Sequence, residues 1–136
     1  MSVVVDSCIY LDIFTRDPRW FEWSSTVLSN AANMGSILMN PVIYAEISIR
    51  FGRIEELEAL LPSDVFEYQA IPREAAFLAG KCFLEYRRRG GPKILPLPDF
   101  FIGAHAAVAR VPLVTRDMRR FRDYFPRLRL ICPDNS

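Results

Sequence analysis

Short apolar runs alternate with helical segments along the chain, and this alternation constrains the fold more than any other feature. The first run, Val3-Val4-Val5, is wholly β-branched, which is typical of a buried parallel strand. Strands that alternate with helices form parallel sheets through right-handed crossovers. We therefore predict an α/β fold in which helices cover both faces of a five-stranded parallel sheet, with strands at residues 2–5, 37–39, 65–68, 113–115 and 128–132.

Proline and glycine mark the boundaries of the helices between these strands. Asp17-Pro18 and Asn40-Pro41 each place a capping side chain before a proline at the first helical position. Gly35 and Gly90-Gly91 are stop signals. We predict a connector over residues 93–97 and helices over about residues 7–14, 18–33, 41–52, 53–61, 72–89, 98–109 and 118–122.

Length and composition indicate one domain, residues 1–136, with a hydrophobic fraction of 51% that argues against disorder. No apolar run approaches the roughly 18 residues that span a bilayer, and no signal peptide is evident. The three cysteines, Cys8, Cys82 and Cys132, form no CxxC pattern and are odd in number, so we expect neither a zinc site nor a disulfide framework. A reducing cytoplasm is the expected location.

Charge is unevenly distributed between the two parts of the chain. Residues 1–80 carry 5 basic and 11 acidic side chains (net −6), whereas residues 81–136 carry 12 basic and 5 acidic (net +7). The basic part includes an arginine cluster, Arg87-Arg88-Arg89. Such asymmetry is compatible with an anionic partner such as RNA, and equally with a solvated face and internal charge pairing.

Four acidic residues lie where the predicted fold turns from strand to helix: Asp6, Glu46, Asp99 and Asp117. Ligands of open α/β sheets bind at the carboxyl ends of the strands, and the fold would gather the four acids there. Clustered carboxylates repel one another unless a cation lies among them. Oxygen-only sites suit Mg²⁺ or Mn²⁺, and metals roughly 4 Å apart support phosphodiester hydrolysis.

Other interpretations of these residues stay open. Taken singly, Asp6, Asp99 and Asp117 could cap or stabilise helix starts, and Glu46 could pair with Arg50. A glycosidase-type acid pair is a weaker alternative, because the acids are too many. A phosphatase of the haloacid-dehalogenase type would need an aspartate where Cys8 stands, and a receiver domain would need a lysine after the fourth strand.

Several neighbouring residues have structural or steric roles in this prediction. His105, the only histidine, lies about 240° around the helix from Asp99, so we expect it to be structural. Gly103 and Ala106 would share the face of Asp99 and leave room for a metal or phosphate. Cys8 is expected to be a small core residue. Core or interface packing is the expected role of the aromatic residues, Trp20, Trp23, Phe100 and Phe101.

Four motifs resemble those of PIN-domain ribonucleases, most closely the VapC-type toxins of prokaryotic toxin–antitoxin pairs. The resemblance covers nearly the whole chain. The first motif is Val-Val-Val-Asp6-Ser7, and the second runs from Asn40 to Glu46. The third and most specific is Leu-Pro-Leu-Pro-Asp99-Phe-Phe-Ile-Gly-Ala-His-Ala, and the fourth is Leu-Val-Thr115-Arg-Asp117.

The resemblance implies a three-layer α/β/α PIN-like fold and a metal-dependent endoribonuclease that leaves 5′-phosphate and 3′-hydroxyl ends. It implies that the four acids bind one or two Mg²⁺ or Mn²⁺ ions, while Ser7 and Thr115 orient carboxylates or metal-bound water. Arg116 neighbours the site and could contact a phosphate. A homodimer and an inhibitory antitoxin are the implied partners. A non-catalytic PIN-fold module that binds RNA or protein is the alternative.

Overall fold

A computed structural model of the protein describes residues 1–90 and 97–134. The strands and helices follow the predicted alternation, in the order β1 (Val3–Val5), α1 (Ser7–Phe14), α2 (Phe21–Met34), β2 (Ile37–Met39), α3 (Pro41–Ser48), α4 (Ile54–Glu58), β3 (Phe66–Tyr68), α5 (Arg73–Arg88), α6 (Leu97–Ala109), β4 (Leu113–Val114), α7 (Met118–Tyr124) and β5 (Leu130–Ile131).

Within the described ranges, five strands form one parallel sheet in the order β3-β2-β1-β4-β5. The central strand is β1, whose residues are at most 1% exposed. Because successive strand residues point to opposite faces, both faces of β1 are covered. The prediction of a three-layer α/β fold with a five-stranded parallel sheet is confirmed.

Most predicted boundaries agree with the structure to within a few residues. The Asn40 side chain accepts a hydrogen bond from the Ile43 amide at 2.9 Å, so the cap of α3 forms as predicted. Gly90, at φ 81°, follows the end of α5 in the left-handed conformation that glycine favours.

The start of α2 differs from the prediction of a helix beginning at Pro18. Asp17 Oδ1 accepts from the amides of Arg19 and Trp20 at 2.9 Å each, and these bonds close a turn before α2 begins at Phe21. Helices α3 and α4 also end earlier than predicted. Apart from Leu97, which lies in α6, the predicted connector falls outside the described residues.

Candidate active site

Asp6 directly follows the central strand and lies at the carboxyl-terminal edge of the sheet. It is 5% exposed, and its Oδ2 accepts hydrogen bonds from Thr115 Oγ1 at 2.7 Å and from the Cys8 thiol at 3.6 Å. Burial raises the pKa of Asp6 and the nearby charge of Asp99 adds to this, although the bond from Thr115 opposes both. Asp6 is thus a fixed, buried carboxyl group whose ionised form a nearby cation would stabilise.

Glu46 reaches the same edge from α3. Ser7 Oγ donates to Glu46 Oε1 at 2.8 Å and lies 3.5 Å from Asp6 Oδ1, so one hydroxyl links two of the predicted acids. Burial raises the pKa of Glu46, and the charges of Asp6 and Asp99 raise it further, against the bond from Ser7. Glu46 therefore faces the other acids.

Asp99 and Asp117 are joined by Arg120 of α7. The Arg120 guanidinium donates through Nη1 to Asp99 Oδ2, and its Nε lies 3.5 Å from Asp117 Oδ2. Burial raises the pKa of Asp99, while Arg120 opposes this shift and Asp117 adds to it. Asp117 is 46% exposed and also caps α7, accepting from the Arg120 amide at 3.3 Å. Its amide in turn donates to Thr115 Oγ1 at 3.1 Å.

These residues line an open cleft of about 440 Å³, referred to below as the acid cleft, whose walls are Asp6, Ser7, Cys8, Asp99, Arg116, Asp117 and Arg120. Glu46 joins it through Ser7. The structure therefore brings the four predicted acids to one place. Their role as metal ligands stays a prediction.

The chemistry of the donors fits a hard divalent cation. Three carboxyl groups, those of Asp6, Glu46 and Asp99, have pKa values raised by burial and by neighbouring negative charge. Such groups become less costly to ionise when a cation lies among them. In the part of the chain that the structure describes, however, no three histidine, cysteine or acidic side chains already converge on one point. In the absence of a cation, the positive charge beside Asp99 and Asp117 comes from Arg120.

His105 is structural, as predicted. It is fully buried, and its Nδ1 accepts from the Asn40 amide at 3.0 Å while its Nε2 donates to Gln69 Oε1 at 3.1 Å. Burial lowers the pKa of His105, which favours the neutral ring that these two bonds require. His105 therefore holds the start of α3, because Asn40 is the cap of that helix.

The prediction that Gly103 and Ala106 leave room for a ligand is wrong. A Cβ at Gly103 would collide with the ring of Phe125 and crowd that of Phe121, so this glycine allows close packing near α7. Ala106 is buried and contributes to a different cavity, beside Arg110.

Cys8 and Arg120 are cleft residues that the sequence interpretation missed. Cys8 is half-buried and packs against the core, as expected, but it also lines the cleft. Burial, and then the charge of Asp6, raise its pKa to about 12, so it remains a thiol. A sequence signal existed for Arg120, which lies three residues after Asp117 on a predicted helix and so shares its face. No comparable signal distinguished Cys8.

Comparison with known proteins identifies the family of the chain. The family model for the PIN domain matches residues 3–124. The chain belongs to the PIN-domain family. A comparison with curated protein sequences gave no match.

Solved structures share the fold of this PIN domain over nearly its whole length. A chain of VapBC2 from Rickettsia felis, bound to a DNA fragment from its promoter, gives a TM-score of 0.73 at 20% identity, covering 98% of this chain and 100% of that one. A chain of VapBC-1 from nontypeable Haemophilus influenzae gives 0.71 at 17% identity, covering 97% and 98%. A toxin–antitoxin complex from Klebsiella pneumoniae gives 0.69 at 18% identity, covering 98% and 99%.

Membership of the family makes this PIN domain a candidate nuclease whose cleft coincides with the predicted acid cluster. Among the residues that the structure describes, no helix combines the length and apolar character that crossing a membrane requires.

Proposed function

We propose that the protein is a metal-dependent endoribonuclease of the VapC toxin type, acting in the cytoplasm and inhibited by a cognate antitoxin. The observation that carries this proposal is the linkage of four carboxylates at one open cleft, which three of them line and which Glu46 joins through Ser7. Ser7 links Asp6 to Glu46, Thr115 links Asp6 to the backbone of Asp117, and Arg120 links Asp99 to Asp117.

Asp6, Glu46, Asp99 and Asp117 would hold one or two Mg²⁺ or Mn²⁺ ions. Such ions supply Lewis acidity and a water nucleophile for the displacement at phosphorus. Ser7 and Thr115 fix the rotamers of the carboxylates to which they donate, so those acids need little reorganisation when a cation arrives. Because Arg120 pairs with Asp99 and Asp117, it has to share or yield these oxygens to the cation.

The antitoxin partner is proposed from the neighbouring structures, which come from VapBC and other toxin–antitoxin complexes. A homodimer is proposed on the same resemblance. In this arrangement the antitoxin would cover the acid cleft, and free toxin would cleave RNA.

The test is cleavage of RNA by the purified chain in Mg²⁺ or Mn²⁺, with EDTA as the metal-free control. Asp6→Asn and Asp99→Asn should each lower the cleavage rate at least 100-fold while circular dichroism and Tm show a folded protein. The matched control is Asp64→Asn, which makes the same change at an exposed aspartate outside the cleft. RNA binding without cleavage by the wild type in either metal would favour the non-catalytic module instead.

A further inference from the structure

A nearly buried ion pair lies beside the acid cleft. Asp12 of α1 has a side chain that is 4% exposed, and Arg116, which follows β4, donates to it through two nitrogens. Arg116 Nε lies 2.8 Å from Asp12 Oδ2, and Nη2 lies 2.9 Å from Oδ1. This bidentate geometry fixes the plane of the guanidinium as well as its position.

Two more side chains hold the pair in place. Ser24, fully buried in α2, donates from Oγ to Asp12 Oδ2 at 2.7 Å. The guanidinium carbon of Arg116 lies 5.0 Å from the centroid of the Trp20 ring, within range of a cation–π contact. Arg116 is thus held through hydrogen bonds on one side and against an aromatic ring on another.

Arg116 is only partly covered by these contacts, and it borders the acid cleft. Its side chain is 29% exposed and forms part of the cleft wall. A guanidinium carries five N–H donors, and Asp12 takes two of them. Within residues 1–90 and 97–134, no side-chain or backbone acceptor takes the other three. They are available to a ligand in the cleft.

We propose that Arg116 is a pre-positioned anchor for a phosphate group of the RNA strand, with Asp12 and Ser24 as the positioning residues that orient it. This inference rests on the proposed function, since it places the substrate in the same cleft. Planar donors suit phosphate oxygens, and a guanidinium fixed in advance loses little conformational freedom on binding. Arg120 cannot take this role while it is paired with Asp99 and Asp117.

The experiment measures binding of a short fluorescein-labelled single-stranded RNA by anisotropy, in EDTA and at low ionic strength, so that no cleavage occurs. Arg116→Lys keeps the charge but loses the bidentate fork, and we expect it to weaken RNA binding about tenfold. The double variant Asp12→Asn/Arg116→Gln removes both charges together, which avoids leaving one charge buried alone. It should weaken binding at least as much and reduce the salt slope by about 0.7.

Arg73→Gln is the matched control, because Arg73 is an exposed arginine at the start of α5, outside the cleft. It should change RNA affinity less than threefold. Binding of Mn²⁺, measured by calorimetry, should be the same in the double variant and the wild type, because a merely structural defect in the cleft would alter it.

Unchanged RNA affinity in a folded double variant would show that Arg116 does not anchor an RNA phosphate. A wild type that binds RNA but does not cleave it in Mn²⁺ counts against the proposed function alone, because the anisotropy comparison still measures the contribution of Arg116. Ser24→Ala provides a graded check: it removes one bond to Asp12 and should weaken RNA binding by a smaller factor than Arg116→Lys.

Discussion

The two arginines of the cleft, Arg116 and Arg120, each pair with an aspartate, but the surroundings of the two pairs differ. Asp12 is almost fully buried, contacts one guanidinium in a bidentate manner, and has a third bond from Ser24. Asp99 lies among other carboxylates, and its partner Arg120 is 45% exposed and is also shared with Asp117.

This difference indicates that Asp12–Arg116 is a structural ion pair, whereas the Asp99–Arg120 pair can separate. A pair whose carboxylate is almost fully buried is costly to break, because little solvent reaches that side of the pair to stabilise the charge that remains. A half-exposed arginine beside several carboxylates can be replaced by another cation at little cost. We therefore expect Asp12–Arg116 to stay closed while Arg120 exchanges with a metal ion.

The largest expected effect comes from making the same substitution in both pairs. Asp12→Asn leaves the partly exposed Arg116 without the counter-charge on its buried side and should lower the free energy of unfolding by about 2–3 kcal/mol. Asp99→Asn removes one of several carboxylates that repel one another. It should lower the free energy of unfolding by no more than about 0.5 kcal/mol, or raise it. Urea unfolding of the metal-free protein measures both values. Equal destabilisation by the two variants would contradict the distinction.

The second prediction concerns the affinity for Mn²⁺. Arg120→Ala removes the positive charge beside Asp99 and Asp117, so calorimetry should show Mn²⁺ binding strengthened by roughly three- to tenfold. Arg88→Ala, at an exposed position at the end of α5, is the control of equal charge change and should leave the affinity nearly unchanged. Weaker Mn²⁺ binding by Arg120→Ala would show that this arginine holds the carboxylates in place rather than competing with the ion.

The sequence allowed the acids to be placed, but not the long-range pairs Asp12–Arg116 and Asp99–Arg120. Asp6 and Asp117 follow apolar runs, and parallel topology brings the ends of those strands together, so backbone order alone predicts the cluster. The pair Asp12–Arg116 spans 104 residues and depends on side-chain geometry that periodicity does not encode.

The wrong prediction for Gly103 also arose from side-chain packing that periodicity does not encode. Helical spacing placed Gly103 on the face of Asp99, but what covers that face is decided by Phe121 and Phe125, which come later in the chain. The capping signal at Asn40, in contrast, correctly predicted the start of α3, because the cap bond joins two residues only three apart. The topology and most local signals were therefore predictable, whereas the Asp17-Pro18 helix start and side-chain pairing between distant elements were not.

The smallest predicted effect is a pH dependence specific to the acid cleft. The pKa values of Asp6, Glu46 and Asp99 are raised in the folded protein, first by burial. As pH rises past the ordinary values of 3.8 and 4.5, the unfolded chain releases these protons before the folded one does. The folded state then binds more protons, so this contribution to stability falls with rising pH until the raised pKa values are passed.

Comparison of variants isolates this effect, because His105 acts in the opposite direction: burial lowers its pKa, so its contribution is lost as pH falls below about 6.5. Asp6→Asn removes one cleft acid and leaves His105 unchanged. Its Tm relative to the metal-free wild type should therefore rise by a few degrees between pH 4 and pH 8, whereas the exposed-site control Asp64→Asn should show no such trend. With saturating Mn²⁺ at pH 8, the wild type should instead have the higher Tm of the two, because the ion stabilises the wild-type carboxylates. A Tm difference independent of pH would mean that Asp6 is ionised at no cost in the folded protein, and that Arg120 already neutralises the whole cluster.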